Sequence, residues 1–96
     1  MTTEQLVQSK REDILRVAAH HGAYNIRVFG SVARGEAGEG SDIDLLVDLE
    51  PNRSLLDLGG LQVDLEALLE RRVDVVTEAG LYWLLRRRIL KEARAL

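Results

Sequence analysis

The sequence predicts an α/β (α+β) fold: a small mixed sheet with helices packed on one of its faces. Three observations lead there. Residues 3–21 and 55–70 carry apolar side chains at helical spacing. Residues 25–29, 42–49 and 73–76 form short runs in which apolar side chains fall on one face of a strand. Breaks at glycine, proline and asparagine then set the order helix, strand, strand, helix, strand, helix.

The first helix is expected from Thr3 to His21. Thr2 and Gln5 have the spacing of a capping box, Leu6, Ile14, Val17 and Ala18 form the apolar stripe, and Gly22 supplies the stop. His20 and His21 sit in the last turn, where a cation complements the helix dipole. As sequence neighbours on a helix they diverge, so they are read as helix-end residues and not as a chelating pair.

A strand over Asn25–Phe29 places Ile26 and Val28 on one face. Gly30-Ser31 breaks it, Val32–Gly35 suit a short helical turn, and Glu36–Gly40 read as a loop. The second strand covers Asp42–Leu49. Pro51 and Asn52 end it, and Ser54 can cap a helix from Leu55 to Glu70 with Leu58, Leu61, Leu65 and Leu68 inward. Gly59-Gly60 inside that helix costs about 1 kcal/mol per glycine relative to alanine, and fits either a bend or close packing. The third strand is Val73–Val76, and a last helix is expected over Tyr82–Ala95.

Length and composition narrow the function. A chain of 96 residues suits one domain, residues 1–96, and leaves no room for a core plus a separate substrate domain. The absence of cysteine excludes disulfides, thiolate metal sites and a cysteine nucleophile. No apolar run approaches the roughly 20 residues that span a bilayer, and the polar, acid-containing N-terminus does not resemble a signal peptide. A cytoplasmic protein is expected. The net charge of −3 argues against a general nucleic-acid binder. Arg86, Arg87, Arg88, Lys91 and Arg94 nevertheless cluster, and are read as a solvated helix face. Leu81–Leu85, with Tyr82 and Trp83, are read as core in preference to an interface, and Tyr24 and Phe29 as structural.

The chemistry lies in Gly30-Ser31-Val32-Ala33-Arg34-Gly35, five further residues, then Ser41-Asp42-Ile43-Asp44 running into an apolar strand. Asp42 and Asp44 project from the same strand face, while Ile43, Leu45 and Val47 project from the other. Two carboxylates so close repel, and a divalent cation relieves the repulsion. Magnesium prefers such hard oxygens and keeps positions open for phosphate. Asp74, between Val73 and Val75, also faces away from the core. If its strand lies beside the second, three carboxylates share one patch, an arrangement suited to two-metal nucleotidyl transfer with Asp74 as general base or ligand. At the Gly30-Ser31 turn, glycine admits a phosphate to the backbone, a helix start favours anions, the Ser31 hydroxyl adds a donor, and Arg34 can reach a phosphate. Ser41, opening the Ser-Asp-x-Asp segment, joins Gly30, Ser31 and Arg34 as a residue expected at the nucleotide. An aspartate pair or a Gly-Ser alone would mean little. Their combination with an isolated aspartate in a later apolar strand is what points to catalysis.

These residues resemble the signature of the polymerase β-like nucleotidyltransferase superfamily, most closely its minimal branch, the MNT proteins. Arg72-Val73-Asp74-Val75-Val76-Thr77 and Arg88-Ile89-Leu90-Lys91-Glu92-Ala93 resemble that branch as well, so the likeness covers nearly the whole chain. It implies that Gly30 and Ser31 hold the triphosphate of ATP, that Asp42 and Asp44 bind Mg²⁺, with two ions expected, and that Asp74 completes the triad. It further implies an antitoxin that transfers AMP to a tyrosine of a HEPN-domain RNase toxin, a partner that would supply the acceptor the chain has no room to enclose. The competing readings are a non-catalytic antitoxin acting by occlusion and transfer to a small molecule. The oligomeric state stays open between homo- and hetero-oligomer.

Overall fold

The computed structural model describes residues 1–96. Its elements are α1 (Thr3–Ser9), α2 (Arg11–His20), β1 (Ala23–Phe29), α3 (Gly30–Ala33), β2 (Ile43–Leu49), α4 (Leu55–Leu69), β3 (Val73–Val76), a 3₁₀ turn (Glu78–Gly80), α5 (Trp83–Glu92) and β4 (Arg94–Ala95). The sheet is mixed, in the order β3-β2-β1-β4. β1 runs antiparallel to β2 and β4, while β2 and β3 are parallel and joined through α4.

Period-two patterning sorts the strands' two faces. Ile26 and Val28 of β1, Ile43, Leu45 and Val47 of β2, and Val73 and Val75 of β3 all join one core. The register agrees, since Val28 pairs with Leu45, Ile43 with Val73 and Leu45 with Val75. Val7 of α1, Ile14 and Ala18 of α2, and Leu61, Leu65 and Leu69 of α4 complete it. Each such aliphatic side chain contributes roughly 1.5–3 kcal/mol by leaving water, which fixes the register. A slip of one residue would carry Asp42 and Asp44 into the interior.

The Thr2 capping box and the Ser54 cap form as the sequence indicates, and Asp57 completes a second box that the sequence reading did not name. Thr2 caps α1 with Gln5, and Ser54 caps α4 with Asp57. Four expectations need correction. The first helix is two: Lys10, at φ −104° and ψ 11°, ends α1 and begins α2. The last helix stops at Glu92. Ala93 turns extended, and Arg94–Ala95 then pair with Arg27 and Val28 as β4, an edge strand absent from the sequence reading. The Tyr82–Leu85 cluster is not core. Trp83 is 74% exposed, and α5 contains no buried residue. Tyr24, expected to be structural, is exposed.

Gly59-Gly60 makes no break, since α4 runs continuously from Leu55 to Leu69. A side chain at Gly60 would come within 3.1 Å of the His21 ring, so the glycine serves close packing of α2 on α4. His21 is fixed there by a 2.6 Å hydrogen bond to Asp64.

Candidate active site

The sheet face away from the core carries the chemistry. Across three adjacent strands, Phe29 pairs with Asp44 and Asp44 pairs with Asp74. Directly paired residues project to the same side, so Asp44 and Asp74 lie together on the open face. Asp42 stands two residues before Asp44, just ahead of β2, and is exposed. Asp74 is exposed as well, and Asp44 is half-buried. The backbone register therefore brings together Asp44 and Asp74 of the three expected carboxylates, with Asp42 two residues before Asp44 and outside the paired strand.

The electrostatics follow from this placement. The Asp44 carboxyl is pushed above the ordinary carboxylate range, first by burial and then by the negative charges of Asp74 and Asp42. The positive charge of Arg34 acts against them. The three carboxylates do not close into a ready-made cage, since no three acidic or imidazole groups converge to ion-holding distance. They are nevertheless near enough for Asp44 to feel both neighbours. An all-carboxylate donor set with mutual repulsion is the chemistry that fits a hard divalent cation.

Gly30 sits at the junction of β1 and α3 with φ +70°, a conformation L side chains rarely adopt. A Cβ there would lie 2.3 Å from Asp44 Oδ2. The glycine thus allows the turn and the aspartate to share one place. Ser31 follows in the first turn of α3, half-buried, and its carbonyl accepts from the Glu36 N–H at 2.9 Å.

Arg34 caps the C-terminus of α3. Its guanidinium donates to Glu36 at 2.7 Å and to Glu92 at 3.1 Å. Glu36 and then Glu92 raise its pKa further above the ordinary value. The Ser41 hydroxyl accepts the Gly38 N–H at 3.0 Å, while the buried Thr3 hydroxyl donates to the Gly38 carbonyl. These two bonds moor the Glu36–Gly40 loop that leads into Asp42.

Glu92 is the site residue that sequence reasoning missed. From the end of α5 its carboxylate accepts the Gly30 N–H at 3.2 Å and pairs with Arg34. The signal available was its isolation: it is the one acidic residue after Glu78. Arg94 donates to the Ala33 carbonyl beside it. A groove of about 180 Å³ lies here, lined among others by Phe29, Gly30, Arg34, Leu85 and Glu92.

A family model described as nucleotidyltransferase domain matches residues 11–96. The protein adenylyltransferase MntA of Thermococcus cleftensis is 48% identical over 71 residues, 74% of this chain and 72% of that protein. A solved structure provisionally described as a minimal nucleotidyltransferase is 52% identical with a TM-score of 0.84, covering 97% of this chain and 95% of the other. A tri-AMPylated HEPN toxin of Shewanella oneidensis in complex with an MNT antitoxin matches with a TM-score of 0.66 at 21% identity, over 97% of this chain and 71% of the other. At that identity the likeness is one of fold.

Proposed function

The chain belongs to the nucleotidyltransferase-domain family as one of its minimal nucleotidyltransferases, and on that premise we propose that this enzyme, acting as one domain over residues 1–96, transfers AMP from ATP to a protein acceptor. The observation that carries the reading is the register pairing of Asp44 with Asp74 on the exposed sheet face, two residues from Asp42. The acceptor is a tyrosine of a HEPN-domain toxin, and the chain is the cytoplasmic antitoxin. The protein adenylyltransferase relative supports the chemistry, and the HEPN–MNT complex of the same fold supports the partner.

In this reading Gly30 and Ser31 bind the triphosphate through backbone N–H groups and the Ser31 hydroxyl, and Arg34 adds a guanidinium. Ser41 holds the loop that borders the nucleotide. Asp42, Asp44 and Asp74 would hold two Mg²⁺ ions, which supply charge neutralisation to the triphosphate when bound. Asp74 is the general base. The tyrosine oxygen attacks the α-phosphorus, its proton passes to the Asp74 carboxylate, the bond from the α-phosphorus to the bridging oxygen breaks, and pyrophosphate leaves.

Intact-mass analysis of the proposed HEPN-domain partner, after incubation with the chain, ATP and Mg²⁺, tests the reading. A mass increase of one or more AMP units, localised to tyrosine, is expected. Toxin neutralised with no mass change, and equally well without ATP, would place the chain among occluding antitoxins.

A further inference from the structure

We propose that the exposed start of α5, where the cap residue Tyr82 is followed by Trp83, Leu84 and Leu85, is the surface on which the protein acceptor docks, and that the acceptor meets it with an apolar centre ringed by carboxylates. The inference rests on the adenylyl-transfer reading for the acceptor being a protein. It adds the place and the chemistry of docking.

A helix in a small domain ordinarily buries an apolar stripe. α5 buries none, although Trp83 is 74% exposed and its neighbours Tyr82 and Leu84 are 58% exposed each. Contiguous large apolar side chains left in water mark an interaction site. Trp, Tyr and Arg are also the residues that dominate interface energetics.

Continuity with the active site assigns the occupant. The C-terminal end of α5 is joined to the nucleotide turn through Glu92, which accepts the Gly30 N–H and pairs with Arg34. An open groove of about 640 Å³, lined by Arg34, Leu84, Arg87, Arg88, Lys91 and Glu92, runs between the two regions. A molecule seated on the apolar patch therefore lies along the groove that leads to Glu92 and the Gly30 turn, where Gly30 packs against Asp44.

Charge specifies the partner. Arg86 is paired with Glu78 at 3.7 Å, and Glu92 is paired with Arg34. Arg87, Arg88 and Lys91 are exposed and give the groove a local positive excess on a chain whose net charge is −3. Such a rim speeds encounter with an acidic surface and opposes a basic one. A second copy of this acidic chain would meet the patch with its own cations, like against like, at a two-fold interface.

The test uses the whole chain and the purified HEPN-domain protein proposed as its acceptor. Biolayer interferometry measures their affinity without ATP for wild type, for Trp83→Ala/Leu84→Ala and for Arg87→Glu/Arg88→Glu. Each double variant is expected to bind at least ~10-fold more weakly, with the wild-type melting temperature and wild-type affinity for a fluorescent ATP analogue. AMP transfer should fall at limiting acceptor and recover at saturating acceptor. Unchanged affinity in both variants, with AMP transfer intact, would overturn the docking surface and leave the adenylyl-transfer reading standing. A wild-type chain that binds the HEPN protein without labelling it would instead sink that reading. A wild-type dimer in light scattering, dissolved by Trp83→Ala/Leu84→Ala, would give the face to a second copy and overturn the proposal.

Discussion

Asp44 and Asp74 are register partners on the parallel β2–β3 pair, on the face opposite the core. Their repulsion predicts a pH signature. Burial, with Asp74 and Asp42, raises the folded-state pKa of Asp44. Below the ordinary carboxylate value of about 3.9, Asp44 is protonated folded and unfolded, and contributes nothing. As pH rises above that value the unfolded state ionises first, so folding loses stability until the raised folded pKa is passed. In EDTA, Asp44→Asn should therefore melt above wild type at pH 7, with the gap closing toward pH 4. Added Mg²⁺ should raise the wild-type melting temperature more than that of the variant. Thermal melts from pH 4 to 8 with and without Mg²⁺ check both statements.

Much of this site was legible beforehand because strand alternation is a strong signal. Valines on both sides of Asp74 fix its face, and the parallel pairing then brings it to Asp44. Less local features were not. Nothing at Lys10 breaks a helix by residue type, and β4 is two exposed residues whose pairing with β1 depends on where α5 lies. The Tyr82–Leu85 cluster has the composition of a core and of a docking face alike, and only the placement of α5 separates the two. Glu92 reads as one acid on a basic helix until the fold carries it to Gly30.

Two glycines with the same backbone strain should respond differently to alanine. Gly30 and Gly35 have φ of +70° and +72°. A Cβ at Gly30 meets Asp44 at 2.3 Å, whereas one at Gly35 meets nothing within 4 Å. Gly35→Ala should cost about 1 kcal/mol, the left-handed penalty alone. Gly30→Ala should cost about 2–4 kcal/mol, because the aspartate must also move, and should abolish AMP transfer. Urea denaturation and a transfer assay read the two effects.

The adjacent glycines of α4 offer a second contrast. Gly59 faces open space, so Gly59→Ala should stabilise by up to ~1 kcal/mol. At Gly60 the His21 ring stands 3.1 Å from an added Cβ and is held by Asp64. Gly60→Ala should therefore lose that gain and destabilise by up to ~1 kcal/mol. Equilibrium unfolding of both variants measures the difference.

Glu92 ties α5 to the turn, so its removal should loosen the C-terminal elements. Glu92→Ala leaves the Gly30 N–H and Arg34 without this acceptor, at a cost of about 1–2 kcal/mol. Glu92→Gln keeps an oxygen for the Gly30 N–H and should cost less. Hydrogen exchange should quicken over residues 83–95 in Glu92→Ala and leave the amides of α4 protected.

Transfer of labelled AMP from ATP to the purified HEPN protein, in Mg²⁺, measures the carboxylate triad most directly. Asp42→Asn, Asp44→Asn and Asp74→Asn should each lower the initial rate at least ~100-fold, more than a supporting residue around a metal costs (roughly 10–100-fold), while keeping a cooperative melt. Wild-type rates in any of the three folded variants would remove that aspartate from the chemistry, and wild-type rates in all three would contradict the account.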